Sequence, residues 1–97
     1  NGRIKMKFKD IQIGQTVEDE LGNEYKVCLI DEFDKEGLHI MLRCIKLIKP
    51  IAVDNNADFT SAGDSLWIYK SKKDARKNGC RKNNIVTVKS LKVKEIK

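Results

Sequence analysis

The chain has 97 residues and a mass of 11.1 kDa, with 40% apolar residues, 35% charged residues and a formal net charge of +6. That is enough chain for one core, and a domain this small leaves about 40% of its unfolded surface wet when it folds, which argues against a large enzyme cleft. No apolar run approaches the ~20 residues of a membrane span and no signal peptide is visible, so a cytoplasmic domain that meets no membrane is expected.

The first methionine is Met6. Residues 1–5 are therefore expected to be either an appended segment or an extension of the first strand, and 6–97 a single β-rich domain. Ile4, Met6 and Phe8 alternate with Arg3, Lys5, Lys7 and Lys9, as on a strand. Residues 10–14 read as a turn, 15–17 as a short strand, and Leu21-Gly22-Asn23 as a hairpin turn. From 24 to 33 the period is two: Tyr25, Val27, Leu29 and Phe33 on one face, Glu24, Lys26 and Glu32 on the other. A second turn, 34–37, leads into a long strand over 38–49. Its apolar set moves from Leu38, Ile40, Leu42 and Cys44 to Ile45 and Leu47, and such a change of parity demands a bulge or a bend. A helix over 38–48 fits the same residues, but the hairpin signals on both flanks favour strand.

Pro50 ends that element, and 54–56 and 60–65 carry loop residues. Residues 66–70 (Leu-Trp-Ile-Tyr-Lys) form the strongest β segment. Ser71-Lys72-Lys73-Asp74 is a capping box, predicting a helix over 72–78 with Gly79 as its stop. Two final strands are predicted at 84–89 and 91–96, the second with Leu91 and Val93 inward and Lys92 and Lys94 outward. The sum is a mainly antiparallel β-barrel or rolled sheet of five to seven strands with one short helix.

Residues 8–17, followed by Gly22-Asn23-Glu24-Tyr25-Lys26-Val27, resemble the opening hairpin of small Src-homology-3-type barrels. KOW-type and related modules of Gram-positive bacteria and their phages begin with a similar apolar–Gly–x–x–Val strand, Gly-Asn turn and alternating strand. The strand and capped helix over 66–79 are similar to those of short phage-type proteins. The resemblance implies an SH3-like barrel and a binding role, and it carries over no catalytic residue.

Chemistry is sparse. Cys28, Cys44 and Cys80 are odd in number and form no C-x-x-C pair, which argues against a disulfide scaffold. His39 and Cys44, five apart, fall on opposite faces of a regular strand, and no zinc spacing is present, so no metal and no cofactor are expected. Cys80 lies among Lys77, Arg81 and Lys82, which would lower a thiol pKa, but no base for nucleophilic catalysis is linked to it. Glu18, Asp19 and Glu20 and the acidic residues of 31–36 cluster at two turns, where solvated charges are the ordinary outcome and a cation or basic partner the alternative.

The charge distribution is the strongest signal. Residues 1–68 hold nine Lys/Arg and twelve Asp/Glu, whereas 69–97 hold eleven Lys/Arg and two Asp/Glu. Lys72 and Arg76, and Lys73 and Lys77, stack at i,i+4 on the predicted helix, and Arg81 and Lys82 follow. Trp67 and Tyr69 offer stacking surfaces nearby. These eight residues form the expected site of a non-enzymatic nucleic-acid-binding module, with Arg76 and Arg81 gripping phosphate by two-pronged contacts. The alternative is a protein-interaction module, such as a phage or mobile-element inhibitor of a host complex.

Overall fold

The computed structural model describes residues 10–31, 37–53, 55, 58–59 and 61–94. The alternation over 1–9, Phe33, the acidic stretch 32–36 and the end of the last predicted strand lie outside the described residues. Among the described residues the order is β1 (Thr16–Glu18), β2 (Glu24–Ile30), β3 (Leu38–Lys46), β4 (Ile51–Ala52), β5 (Asp58–Phe59), β6 (Ser65–Tyr69), α1 (Lys72–Lys77) and β7 (Lys92–Val93), with a 3-10 turn over Val88–Ser90. Five strands form one antiparallel sheet in the order β6-β3-β2-β1-β7, and β4 pairs with β5.

The sheet rolls so that its edges approach. Lys89, just before β7, donates its N–H to the carbonyl of Lys70, just past β6, at 3.1 Å. Inside the roll lie Val17, Tyr25, Val27, Ile40, Leu42, Ile68, Val86, Val88 and Leu91, none more than 1% exposed. Period-two alternation supplies the strand contributions, because successive side chains point to opposite faces. The small β-rich fold expected from sequence is the fold observed.

Bulges set the curvature. Tyr25 pairs with Cys44 and Glu24 with Lys46, so Ile45 is the extra residue in β3, at the parity change seen in the sequence. Residues 38–46 are thus strand, not helix, and the strand stops short of the predicted end at 49. A second bulge was not anticipated. Val27 pairs with Leu42 and Leu29 with Met41, leaving Cys28 extra in β2. That step turns Leu29 outward, 48% exposed, although unbroken alternation assigned it to the inner face with Tyr25 and Val27.

The predicted strand at 84–89 is replaced by a single parallel bridge, Ile85 to Ala52, and by the 3-10 turn. Ser90 is the reason: its Oγ accepts from the N–H of Thr87 at 3.0 Å and donates to the Thr87 carbonyl at 2.8 Å, closing a turn that a ladder would have to break. β7 shrinks to two residues, and Val93, expected inward, is 41% exposed at the sheet edge.

Candidate functional site

The helix forms where its cap predicts. Ser71 is extended (φ −150°, ψ 166°); its Oγ accepts from the Asp74 N–H at 3.3 Å and donates to Asp74 Oδ2 at 2.9 Å. At the other end the Gly79 N–H meets the Arg76 carbonyl and the Cys80 N–H meets the Ala75 carbonyl, with Gly79 at φ +89°. This is the Schellman arrangement, in which a left-handed glycine terminates the helix. Ala75 is the buried anchor, packed with Tyr69, Cys80 and Ile85.

That anchoring separates the predicted site residues into three groups. Lys72 and Lys73 are exposed and line an open groove of about 420 Å³ together with Glu20, Ser71, Thr87, Lys89 and Ser90. Lys89 joins them, rather than lying on the strand predicted at 84–89, because the 3-10 turn docks beside the start of the helix. Lys77 is exposed one turn further on. Among the described residues, Lys72, Lys73, Lys77 and Lys89 enter no ion pair.

The arginines behave differently. Arg76 is half-buried, and its Nη1 donates to the carbonyls of Cys80 at 2.8 Å and Lys82 at 2.9 Å. Arg81 Nη1 donates to the carbonyls of Arg76 at 2.9 Å and Cys80 at 3.2 Å. One terminal nitrogen of each guanidinium is therefore engaged with backbone, so a two-pronged contact to phosphate would have to use the Nε–Nη2 edge. These side chains hold the 78–82 loop against the helix, and Asn55 adds hydrogen bonds to the Gly79 carbonyl and the Arg81 N–H. Lys82 is half-buried beside Pro50, Ile51 and Ala52.

Of the two aromatic candidates, Tyr69 is 6% exposed in the cluster under the helix and offers no stacking surface. Trp67, on the same face of β6, is half-buried and belongs to neither core cluster. Cys80, expected in a basic and reactive setting, is 1% exposed in the Tyr69 cluster. Burial pushes the thiol of Cys44 up from its ordinary value. His39 Nδ1 lies 3.0 Å from the Asp31 carbonyl. Among the described residues no three His, Cys, Asp or Glu side chains converge as a metal site, and no helix is long and apolar enough to cross a membrane.

The acidic turn is also structural. Asp19, 2% exposed, accepts from the N–H groups of Leu21 (2.8 Å) and Asn23 (3.1 Å), from Asn23 Nδ2 (2.9 Å) and from the Tyr25 hydroxyl (2.5 Å). Asn23, fully buried, also donates to the Lys49 carbonyl at 2.7 Å and accepts from the N–H groups of Ile48 (2.6 Å) and Lys49 (2.8 Å). The expectation of a solvated charge fails at Asp19 because these donors replace water. Glu24 pairs with Lys94 and, at 3.9 Å, with Lys46.

Comparison of the chain with protein-family models, curated proteins and solved structures returns no match.

Proposed function

We propose that the chain is a non-enzymatic nucleic-acid-binding module whose contact site is the groove between α1 and the 3-10 turn. The observation that carries the proposal is the convergence of Lys72, Lys73 and Lys89 on one groove where, among the described residues, Glu20 is the one lining carboxylate and no ion pair holds these lysines. Three ammonium groups held on short, rigid elements set up a local positive potential that a mobile tail would average away. The hydroxyl-bearing residues Ser71, Thr87 and Ser90 give the groove a polar lining. Phosphodiester is the polyanion this chemistry suits, with lysines acting as point charges. An SH3-like barrel of the KOW type, as the opening hairpin suggests, is consistent with such a role.

A filter-binding or gel-shift assay at low salt with oligo(dT), oligo(U) and a duplex tests this reading. Replacing Lys72, Lys73 and Lys89 together by Glu abolishes binding while leaving the fold intact, because exposed substitutions usually change stability by less than about 0.5 kcal/mol each. Lack of binding by the unaltered protein at micromolar concentration overturns the proposal in favour of a protein partner.

A further inference from the structure

The strand register places residues far apart in sequence into rows on the outer face of the sheet. One row is Leu29 on β2, Met41 on β3 and Trp67 on β6, paired in succession. The adjacent row is Thr16 on β1, Lys26 on β2, Arg43 on β3 and Ser65 on β6. Directly opposed side chains in such a ladder stand about 5 Å apart, so each row is a continuous strip. The first is apolar and ends in the chain's single tryptophan; the second carries two cations. Neither contains a carboxylate. The next row, Glu18, Glu24 and Lys46, holds two acids, of which Glu24 pairs with Lys46 and Lys94, and bounds the strip on that side.

Three further observations bear on what this face receives. Lys26 and Arg43 are exposed and enter no ion pair among the described residues. They border a shallow depression of about 470 Å³ whose other walls are Cys44, Ile45, Ala62 and Gly63. Helix α1 covers the same face of β6 two residues beyond Trp67, through the contact of Ala75 with Tyr69. The apolar row therefore runs up to the element that carries Lys72, Lys73 and Lys77.

We infer that the outer face of β2, β3 and β6 binds single-stranded nucleic acid, with a base stacked on Trp67 and Met41 and the backbone phosphates on Arg43 and Lys26. The inference rests on the nucleic-acid reading of the lysine groove and names the form of nucleic acid. Two residues along a strand, about 7 Å, separate the apolar row from the basic row, so one nucleotide lays its base on the first and its phosphate on the second. A duplex hides its base faces in its own stack, whereas a single strand exposes them, and an aromatic platform with flanking cations selects for that exposure. Charge complementarity favours this occupant: both rows and the neighbouring helix are positive or neutral. Two of the residues concerned, Arg43 and Lys26, lie within residues 1–68, whose net charge is negative.

The single tryptophan makes the test direct. Tryptophan emission is followed as oligo(dT), oligo(U) and a hairpin duplex are added to the intact protein, with affinity measured in parallel by fluorescence anisotropy of labelled strands. The expected result is quenching by oligo(dT) and oligo(U), little quenching by the duplex, and about a tenfold loss of single-strand affinity in Trp67→Ala. Arg43→Glu and Lys26→Glu, both at exposed positions, lose single-strand affinity to a similar degree and remain informative even where Trp67→Ala unfolds. Single-strand binding with unchanged emission and no effect of Arg43→Glu overturns this inference but leaves the lysine groove standing. Absence of binding to every oligonucleotide overturns both. Equal affinity and equal quenching by duplex and single strand overturn the single-strand assignment.

Discussion

The turn at 19–23 and the turn at 78–82 are both dense in polar groups, yet they use them differently. In the first, every oxygen of Asp19 and both ends of the Asn23 amide are engaged, and the hairpin is clamped to the backbone at 48–49. In the second, Arg76 and Arg81 are tied to carbonyls while Lys77, next to Arg76 in the chain, stays outside. The contrast teaches that a count of charges overstates a binding surface. Among the described residues, the charge left over for a partner once the turns are satisfied includes Lys72, Lys73, Lys77 and Lys89 on one side and Lys26 and Arg43 on the sheet.

The sharpest way to break the comparison is at Asn23. Asn23→Ala leaves the N–H groups of Ile48 and Lys49 without their acceptor and removes the amide donor to Asp19 Oδ2 and to the Lys49 carbonyl, a loss of about 3–5 kcal/mol by chemical denaturation. A loss below about 1 kcal/mol would show that water replaces the amide and that the clamp is ornamental. Tyr25→Phe removes only the hydroxyl that donates to Asp19 and costs about 1.5–3 kcal/mol, the range for a hydrogen bond to a charged group.

Tyr25 also gives the comparison a pH axis. Burial first, and then its hydrogen bond to Asp19, push the phenol well above its ordinary value of 10.0. A group whose folded pKa is raised contributes stability that is fully present below the unfolded value and declines above it. Stability should therefore be flat in this group up to pH about 9 and fall above about 10, with tyrosinate absorbance from Tyr25 appearing together with unfolding. Tyr25→Phe should flatten that alkaline decline. Titration of both tyrosines in the folded protein at the ordinary value would contradict the buried clamp.

Smaller effects distinguish the arginines from the lysines. Arg76→Ala removes two hydrogen bonds to the 80–82 backbone and costs about 2 kcal/mol, at about 1 kcal/mol per bond. Lys77→Ala, one residue on, costs less than about 0.5 kcal/mol. Thermal melts of the two variants side by side check this; equal melting temperatures would mean that the Arg76 contacts hold nothing.

Local chemistry was legible in the sequence where one short segment determines the outcome. The Ser71–Asp74 cap, the Gly79 stop and the parity change at Cys44–Ile45 each appear in the structure as the helix start, the helix end and the β3 bulge. What could not be read depends on partners distant in the chain. The Cys28 bulge leaves no parity signal, because Leu29 and Ile30 are both apolar and either fits inside. The donors to Asn23 come from Ile48 and Lys49, and the rows that join Lys26 to Arg43 and Leu29 to Met41 and Trp67 exist only once the register is set. Arg76 shows the same gap: i,i+4 spacing placed it in a row of like charge with Lys72, whereas the carbonyls it meets belong to a loop whose path the spacing does not specify.

The central claim, that leftover lysines at the α1 groove bind nucleic-acid phosphate, is tested most directly by the salt dependence of binding to a duplex. Each phosphate neutralised contributes about −0.9 to the slope of log K against log salt. The account predicts a steep negative slope for the unaltered protein, and a slope shallower by about 2.7 when Lys72, Lys73 and Lys89 are all replaced by Gln, which removes three cations without adding repulsion. An unchanged slope in that variant, with affinity retained, would place the phosphates elsewhere and contradict the account.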